Sequence, residues 1–252
     1  MKKYLLFLLA MLPIVSMAQS DAGLWTSVGI DKKINKKLSF GLEGEFRSRN
    51  DFKTADRWSV GLDATWKFNK KFRVAAGYVL LNDNRKEKIS YNNDDPTSVN
   101  YYNNWRPSYW TVRHRVFAGF GLSTDVGRWS FSLRERWQYT YRPEKTVQRF
   151  NFDEEKFGWE DKVRSGKGKH QLRSRFQVEY DKKHALFTPF ASIELYNSMA
   201  VEKIRYTIGT DLNLSKQHSF SVFYRFQDMH NVESGDYDPD MHYIGAGYKF
   251  NF

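Results

Sequence analysis

From about residue 24 onward, apolar and polar residues alternate with a period of two, in runs of roughly ten broken by turn-forming residues. In residues 38–47, Leu38, Phe40, Leu42 and Phe46 share one face, while Ser39, Glu43, Glu45 and Arg47 share the other. Residues 57–68 repeat the pattern, with Trp58, Val60, Leu62, Ala64, Trp66 and Phe68 against Arg57, Ser59, Asp63, Thr65 and Lys67, and Asn69-Lys70-Lys71 then turns the chain into a strand starting at Phe72. Successive side chains of a strand point to opposite sides, so each run has one apolar and one wet face. Further runs begin near Leu24, Tyr109, Trp129, His170, Leu186, Lys203, Ser219 and Met241, making eleven candidate strands with the three above. Together they predict an all-β chain: a closed antiparallel transmembrane β-barrel.

The connections bear on the count. Short turns at residues 69–71, 123–128, 181–184 and 215–218 alternate with connections that are mostly longer and polar: 82–107, 143–168 and 228–240. Long loops face outward and short turns inward in bacterial barrels, and a single-chain barrel normally has an even number of strands. The strand from Leu38 is then expected to rise and the strand from Met241 to descend. These rules favour about ten strands, with the Leu24 segment off the wall; twelve is the alternative. No period of 20 to 50 residues marks a repeat array.

The N-terminus changes the setting. Met1-Lys2-Lys3, an apolar run from Tyr4, and the small-x-small ending Ser16-Met17-Ala18 read as a secretory signal over residues 1–18, cleaved before Gln19, with the barrel occupying 19–252. There is no cysteine, so neither a lipoprotein anchor nor a disulfide framework is available. Nothing after Gln19 approaches the roughly 20 apolar residues of a spanning helix. The mean hydropathy of −0.69 suits a soluble protein, yet 17% of the residues are aromatic and fall at alternate positions, a mixture that barrels produce. These features place the chain in the outer membrane of a Gram-negative cell, with lipid as its surroundings. The formal charge of +11 drops to +9 without Lys2 and Lys3. An exported chain meets no nucleic acid routinely, so anionic lipid head groups or anionic solutes are the expected counterparts of that charge.

The charge has a definite address. If the apolar face meets lipid, Arg47, Arg49, Arg57, Lys67, Arg73, Arg113, Arg115, Arg134, Arg136, Arg173, Arg175, Arg205 and Arg225 all project inward, against six acids: Glu43, Glu45, Asp63, Glu179, Glu194 and Asp211. An uncompensated positive row in a low-dielectric wall attracts anions, and guanidinium suits carboxylate and phosphate. The lumen-lining candidates are therefore Arg47, Arg49, Arg113, Arg115, Arg134, Arg136, Arg173, Arg175, Arg205 and Arg225. A paired network filling a narrow barrel is the alternative. Arg113, Arg115, Arg134 and Arg136 are expected to cluster on paired neighbours.

Three positions break the apolar face. His114 and Glu135 are aimed at lipid and could sit on a diagonal across the turn at 123–128; a bulge or a place beside the interface would make them unremarkable. Ser174 could join Glu135, but the order His114, Glu135, Ser174 puts the acid where a hydrolase triad needs its imidazole. No catalytic residue and no enzyme activity is expected. Asp228, His230, Asp236, Asp238, Asp240 and His242 crowd one loop without the remaining ligands of a calcium loop, so neither a metal nor another cofactor is expected.

The last strand places Ile244, Ala246, Tyr248, Phe250 and Phe252 on one face. A closing strand with a terminal aromatic resembles the signal read by the barrel-assembly machinery, which implies that Tyr248, Phe250 and Phe252 contact that machinery. More broadly, Leu24-Trp25, Leu42-Glu43-Gly44-Glu45-Phe46-Arg47, His114-Arg115, Leu133-Arg134-Glu135-Arg136, Pro189-Phe190-Ala191-Ser192-Ile193-Glu194-Leu195-Tyr196 and the closing strand give the chain a resemblance to the outer-membrane barrel family catalogued as domain of unknown function 2490. It extends over nearly all of the mature length and implies a barrel without an assigned activity. A more distant likeness is to small channels for acidic oligosaccharides, whose lumens are also rich in Arg. The expected function is a narrow passive channel or solute-binding barrel biased toward anions. The alternatives are a filled barrel acting through its long loops and, last, a membrane-embedded hydrolase.

Overall fold

The computed structural model describes residues 20–92, 95–98, 101–180, 186–215, 217–230 and 239–252; the expected signal segment and the turn at 181–184 lie outside them. Among the described residues fifteen strands follow in chain order: β1 (Asp21–Lys33), β2 (Leu38–Arg49), β3 (Thr54–Lys67), β4 (Phe72–Arg85), β5 (Lys88–Tyr91), β6 (Tyr102–Arg106), β7 (Tyr109–Val126) and β8 (Trp129–Arg142). After them come β9 (Lys145–Asn151), β10 (Gly158–Arg164), β11 (Lys167–Tyr180), β12 (Phe187–Asn197), β13 (Val201–Asn213), β14 (His218–Met229) and β15 (Met241–Asn251).

Eleven of these close into one barrel, in the order β1-β2-β3-β4-β7-β8-β11-β12-β13-β14-β15 and back to β1. Every neighbouring pair is antiparallel except the seam, where β1 runs parallel to β15 from Asp21↔Met241 to Asp31↔Asn251. That seam accounts for the eleventh strand. An up-and-down barrel that is antiparallel throughout needs an even count, and one parallel pair lifts the requirement. The Leu24 segment, set apart above on the even-number rule, is therefore β1 and part of the wall. Its own pattern agrees: Val28 and Ile30 are exposed on the outer face, while Trp25 is buried inside. Phe252 completes the seam, donating its N–H to the Asp31 carbonyl and accepting from the Lys33 N–H, both at 2.9 Å.

The remaining four strands lie in the two long connections read as loops. They pair in the order β5-β6-β9-β10, the same order as the wall strands β4, β7, β8 and β11 that each adjoins in the chain. They form an extension of that side of the wall beyond the rim. Two strands in each connection leave the up-and-down alternation intact, which is why the wall pattern gave no sign of them.

Val28, Val60, Leu62, Ile208, Val222 and Ile244 are among the large apolar side chains exposed on the outer face. Leaving such a side chain in water forgoes about 1.5–3 kcal/mol, so a continuous belt of them marks a surface built for lipid. Closure pairs the backbone of every wall strand on both edges, as hydrocarbon requires. At the turn between β7 and β8, Gly127 takes φ +63°, a left-handed conformation that glycine adopts without a side-chain penalty.

Candidate functional site

The same alternation that faces Leu and Val outward aims the arginines inward. At the end of the barrel carrying the extension, the lumen opens into a cavity of about 540 Å³, bordered by sixteen arginine and lysine side chains and only four carboxylates, Asp56, Asp83, Glu87 and Glu202. Arg47, Arg49, Arg113, Arg115, Arg173 and Arg205 are among those bases. Arg134, Arg136, Arg175 and Arg225 lie outside that lining, deeper in the lumen.

Beneath this vestibule the lumen is filled. Trp25, Met241 and Tyr243 form a buried cluster with Phe223 packed against it, and the Trp25 and Tyr243 rings meet edge-on at 5.3 Å. Three guanidiniums surround the indole, with Arg47 at 3.3 Å, Arg225 at 4.0 Å and Arg205 at 4.8 Å from a ring centroid. The indole N–H donates to Glu45 at 2.9 Å, and Glu45 pairs with Arg47 at 2.6 Å. Beside this group Glu194 accepts two hydrogen bonds of 3.0 Å from Arg173, one of 2.8 Å from the Tyr196 hydroxyl and another from Arg134, with Arg205 at 3.9 Å. Arg57 and Arg113 converge on Asp83, and Arg49 pairs with Asp56 at 2.8 Å.

The pairing differs in detail from what the sequence suggests. Of the six acids expected to compensate the arginines, Glu45 and Glu194 do so; among the described residues Glu43, Asp63, Glu179 and Asp211 have no arginine within ion-pair distance. Asp83 takes that role instead, and it was missed because it falls in a stretch read as loop. Arg113, Arg115, Arg134 and Arg136 do not form one cluster. Arg115 is paired with Thr140 and Arg136 with Gly119, which separates the two pairs by about four residues along the wall. Arg115 donates to the Thr140 hydroxyl at 3.1 Å, whereas Arg136 lies 4.1 Å from the Phe117 ring.

His114 and Glu135 are not neighbours either. His114 sits opposite Tyr141 and Glu135 opposite Phe120 in a continuous register, with no bulge at either position. Ser174, directly across from Glu135, donates to its carboxylate at 2.7 Å, and the His114 imidazole meets the Tyr78 hydroxyl at 2.6 Å. Each polar group on the lipid face thus has its own partner, and serine and imidazole are not brought together. In the acidic loop His230 lies 2.9 Å from Asp228, and Asp240 accepts from the Met229 N–H at 2.9 Å; Asp236 and Asp238 lie outside the described residues. No group of three metal-ligating side chains occurs among the described residues. On β15, Phe250 stacks on Phe252 at 5.5 Å, and Tyr248 meets His218 of the neighbouring β14 at 2.7 Å.

A closed β-wall with an apolar outer belt and a charged lumen defines an outer-membrane-type β-barrel. The chain belongs to the family described as Protein of unknown function (DUF2490), whose match covers residues 22–237. Among solved structures it is similar to the crystal structure of a Pseudomonas aeruginosa FadL homologue, with 10% identity and a TM-score of 0.33 over 83% of this chain and 62% of that one. The chain thus spans about three-fifths of that protein's length. No curated protein sequence matches it.

Proposed function

We propose that this barrel resides in the outer membrane and binds anionic solutes in a cationic vestibule open to the cell exterior, with the Trp25 layer restricting passage to the other side. The observation that carries this reading is the imbalance around the vestibule: sixteen bases line it against four acids, with two more, Glu45 and Glu194, pairing to lining arginines from just behind. Cations held close together in a low-dielectric wall repel one another, and a bound anion relieves that repulsion. Lipid surrounds the apolar belt, and the assembly machinery recognises Tyr248, Phe250 and Phe252 before β1 covers that edge of β15. Neither a catalytic step nor a cofactor is part of the proposal. Equilibrium binding of a simple anion, such as orthophosphate, to the detergent-folded protein tests it: binding that weakens as salt rises supports the vestibule, and no binding at low salt refutes it.

One observation favours a second reading. The Glu194 and Trp25 groups pack the middle of the lumen as a structural core does, which suits a filled barrel acting through the strand extension. That barrel would bind no anion, and substitutions in its lumen would change only its stability.

A further inference from the structure

We propose that the vestibule takes an extended polyanion, a linear chain of repeated phosphate or carboxylate groups, rather than a single small anion. The inference rests on the anion-binding reading above and names its ligand class.

A second cavity of about 540 Å³ lies along the lumen-side face of the strand extension. Seven arginine and lysine side chains line it, and no carboxylate does. Five of the seven, Lys88, Arg106, Arg142, Arg164 and Lys167, also line the vestibule, so the two cavities share a wall of bases. The cations therefore run as a ladder rather than a cup. Along β11, Lys167, Lys169 and Arg173 point to the same side, and residues two apart on a strand are spaced by about 7 Å. Glu194, Glu202 and Glu160 pair with Arg173, Lys169 and Arg149, but bases still outnumber acids along the ladder; a lone anion meets two or three of them, whereas a chain with repeated charges meets the ladder along its length.

Two arginines at the junction are held in place beside both cavities. Arg142 is fixed by a 2.7 Å hydrogen bond to the Ser165 carbonyl and Arg106 by one of 3.2 Å to the Lys86 carbonyl. Their Nε–H groups are nevertheless buried without a hydrogen-bond partner. Those Nε atoms are sealed from the cavities, so an oxygen-rich chain crossing from one cavity to the other would meet the terminal N–H groups of two guanidiniums already fixed in place.

The test is a length series. Orthophosphate, tripolyphosphate and a longer linear polyphosphate, with oligo-aspartates of matched charge as the carboxylate arm, are titrated into the detergent-folded protein at several salt concentrations. The dissociation constant is expected to fall at least tenfold from orthophosphate to tripolyphosphate and again to the longer chain, with a salt dependence that steepens with length as more contacts form. Binding confined to the phosphate arm, to the carboxylate arm, or shared by both identifies the repeated group. Arg149→Gln with Lys162→Gln, at the two bases that line the outer cavity and not the vestibule, should weaken the longest chain at least tenfold and orthophosphate less than twofold. If that pair does not fold, Lys162→Gln by itself should show the same length-selective loss. Affinity independent of length overturns the polyanion inference and leaves the anion-binding reading standing. Failure of every anion to bind overturns both.

Discussion

Replacing Trp25 with alanine removes the side chain on which the floor of the vestibule is built. The indole is 6% exposed and sits among three guanidiniums, with Tyr243 on its edge. Burying a tryptophan removes about 150–250 Å² from water, worth roughly 4–6 kcal/mol at about 25 cal/mol per Å². Each cation–π contact adds about 0.5–1 kcal/mol. Water entering the vacated space rehydrates Arg47, Arg205 and Arg225 and returns part of this, so the expected loss of stability is about 3–5 kcal/mol, the usual range for emptying a tryptophan site. The same change opens a wet path between the two halves of the lumen, lined by those arginines. In planar bilayers Trp25→Ala should raise single-channel conductance several-fold over wild type, with a reversal potential shifted toward the anion. Trp58→Ala, on the lipid-facing side, should leave the current unchanged. A Trp25→Ala protein that is less stable but conducts no better than wild type would refute the assignment of the floor.

Glu194→Gln removes the charge shared by Arg134, Arg173 and Arg205, and should cost about 3–5 kcal/mol in urea unfolding, because the guanidiniums lose their common counter-charge. Gly245→Ala should destabilise the barrel by about 1–3 kcal/mol, since a methyl there overlaps the Phe223 ring; this should appear as a lower temperature for the heat-induced gel-mobility shift. Deleting Phe252 breaks two backbone hydrogen bonds at the seam and removes the terminal aromatic, so surface levels should fall far more than on deleting Glu155 from the extension, as read by surface labelling.

The wall strands were legible because lipid and water impose opposite demands on alternate residues, and all eleven expected starts lie within four residues of the observed ones. The period also placed Arg47, Arg173 and Arg205 on the inner face. It could not place them in height. Which arginine meets which acid depends on the stagger between strands, and Arg134 and Glu194, which hydrogen-bond over the intervening strand β11, lie 60 residues apart in the chain. Trp25 was hidden for a different reason: the even-number rule removed its strand from the wall before its side chain could be considered. The extension escaped because β5 and β6 are short and their polar, turn-rich connection carries no long alternating run.

The central claim is that anions collect above the Trp25 layer, on the side of the strand extension. Crystals of the wild-type protein soaked in bromide, with anomalous diffraction recorded at the bromine edge, locate such ions directly. Peaks are expected beside vestibule bases such as Arg57, Arg115 and Arg173, with far weaker density between Trp25 and the short-turn end. Peaks confined to the short-turn half, or none in the lumen, would contradict the account.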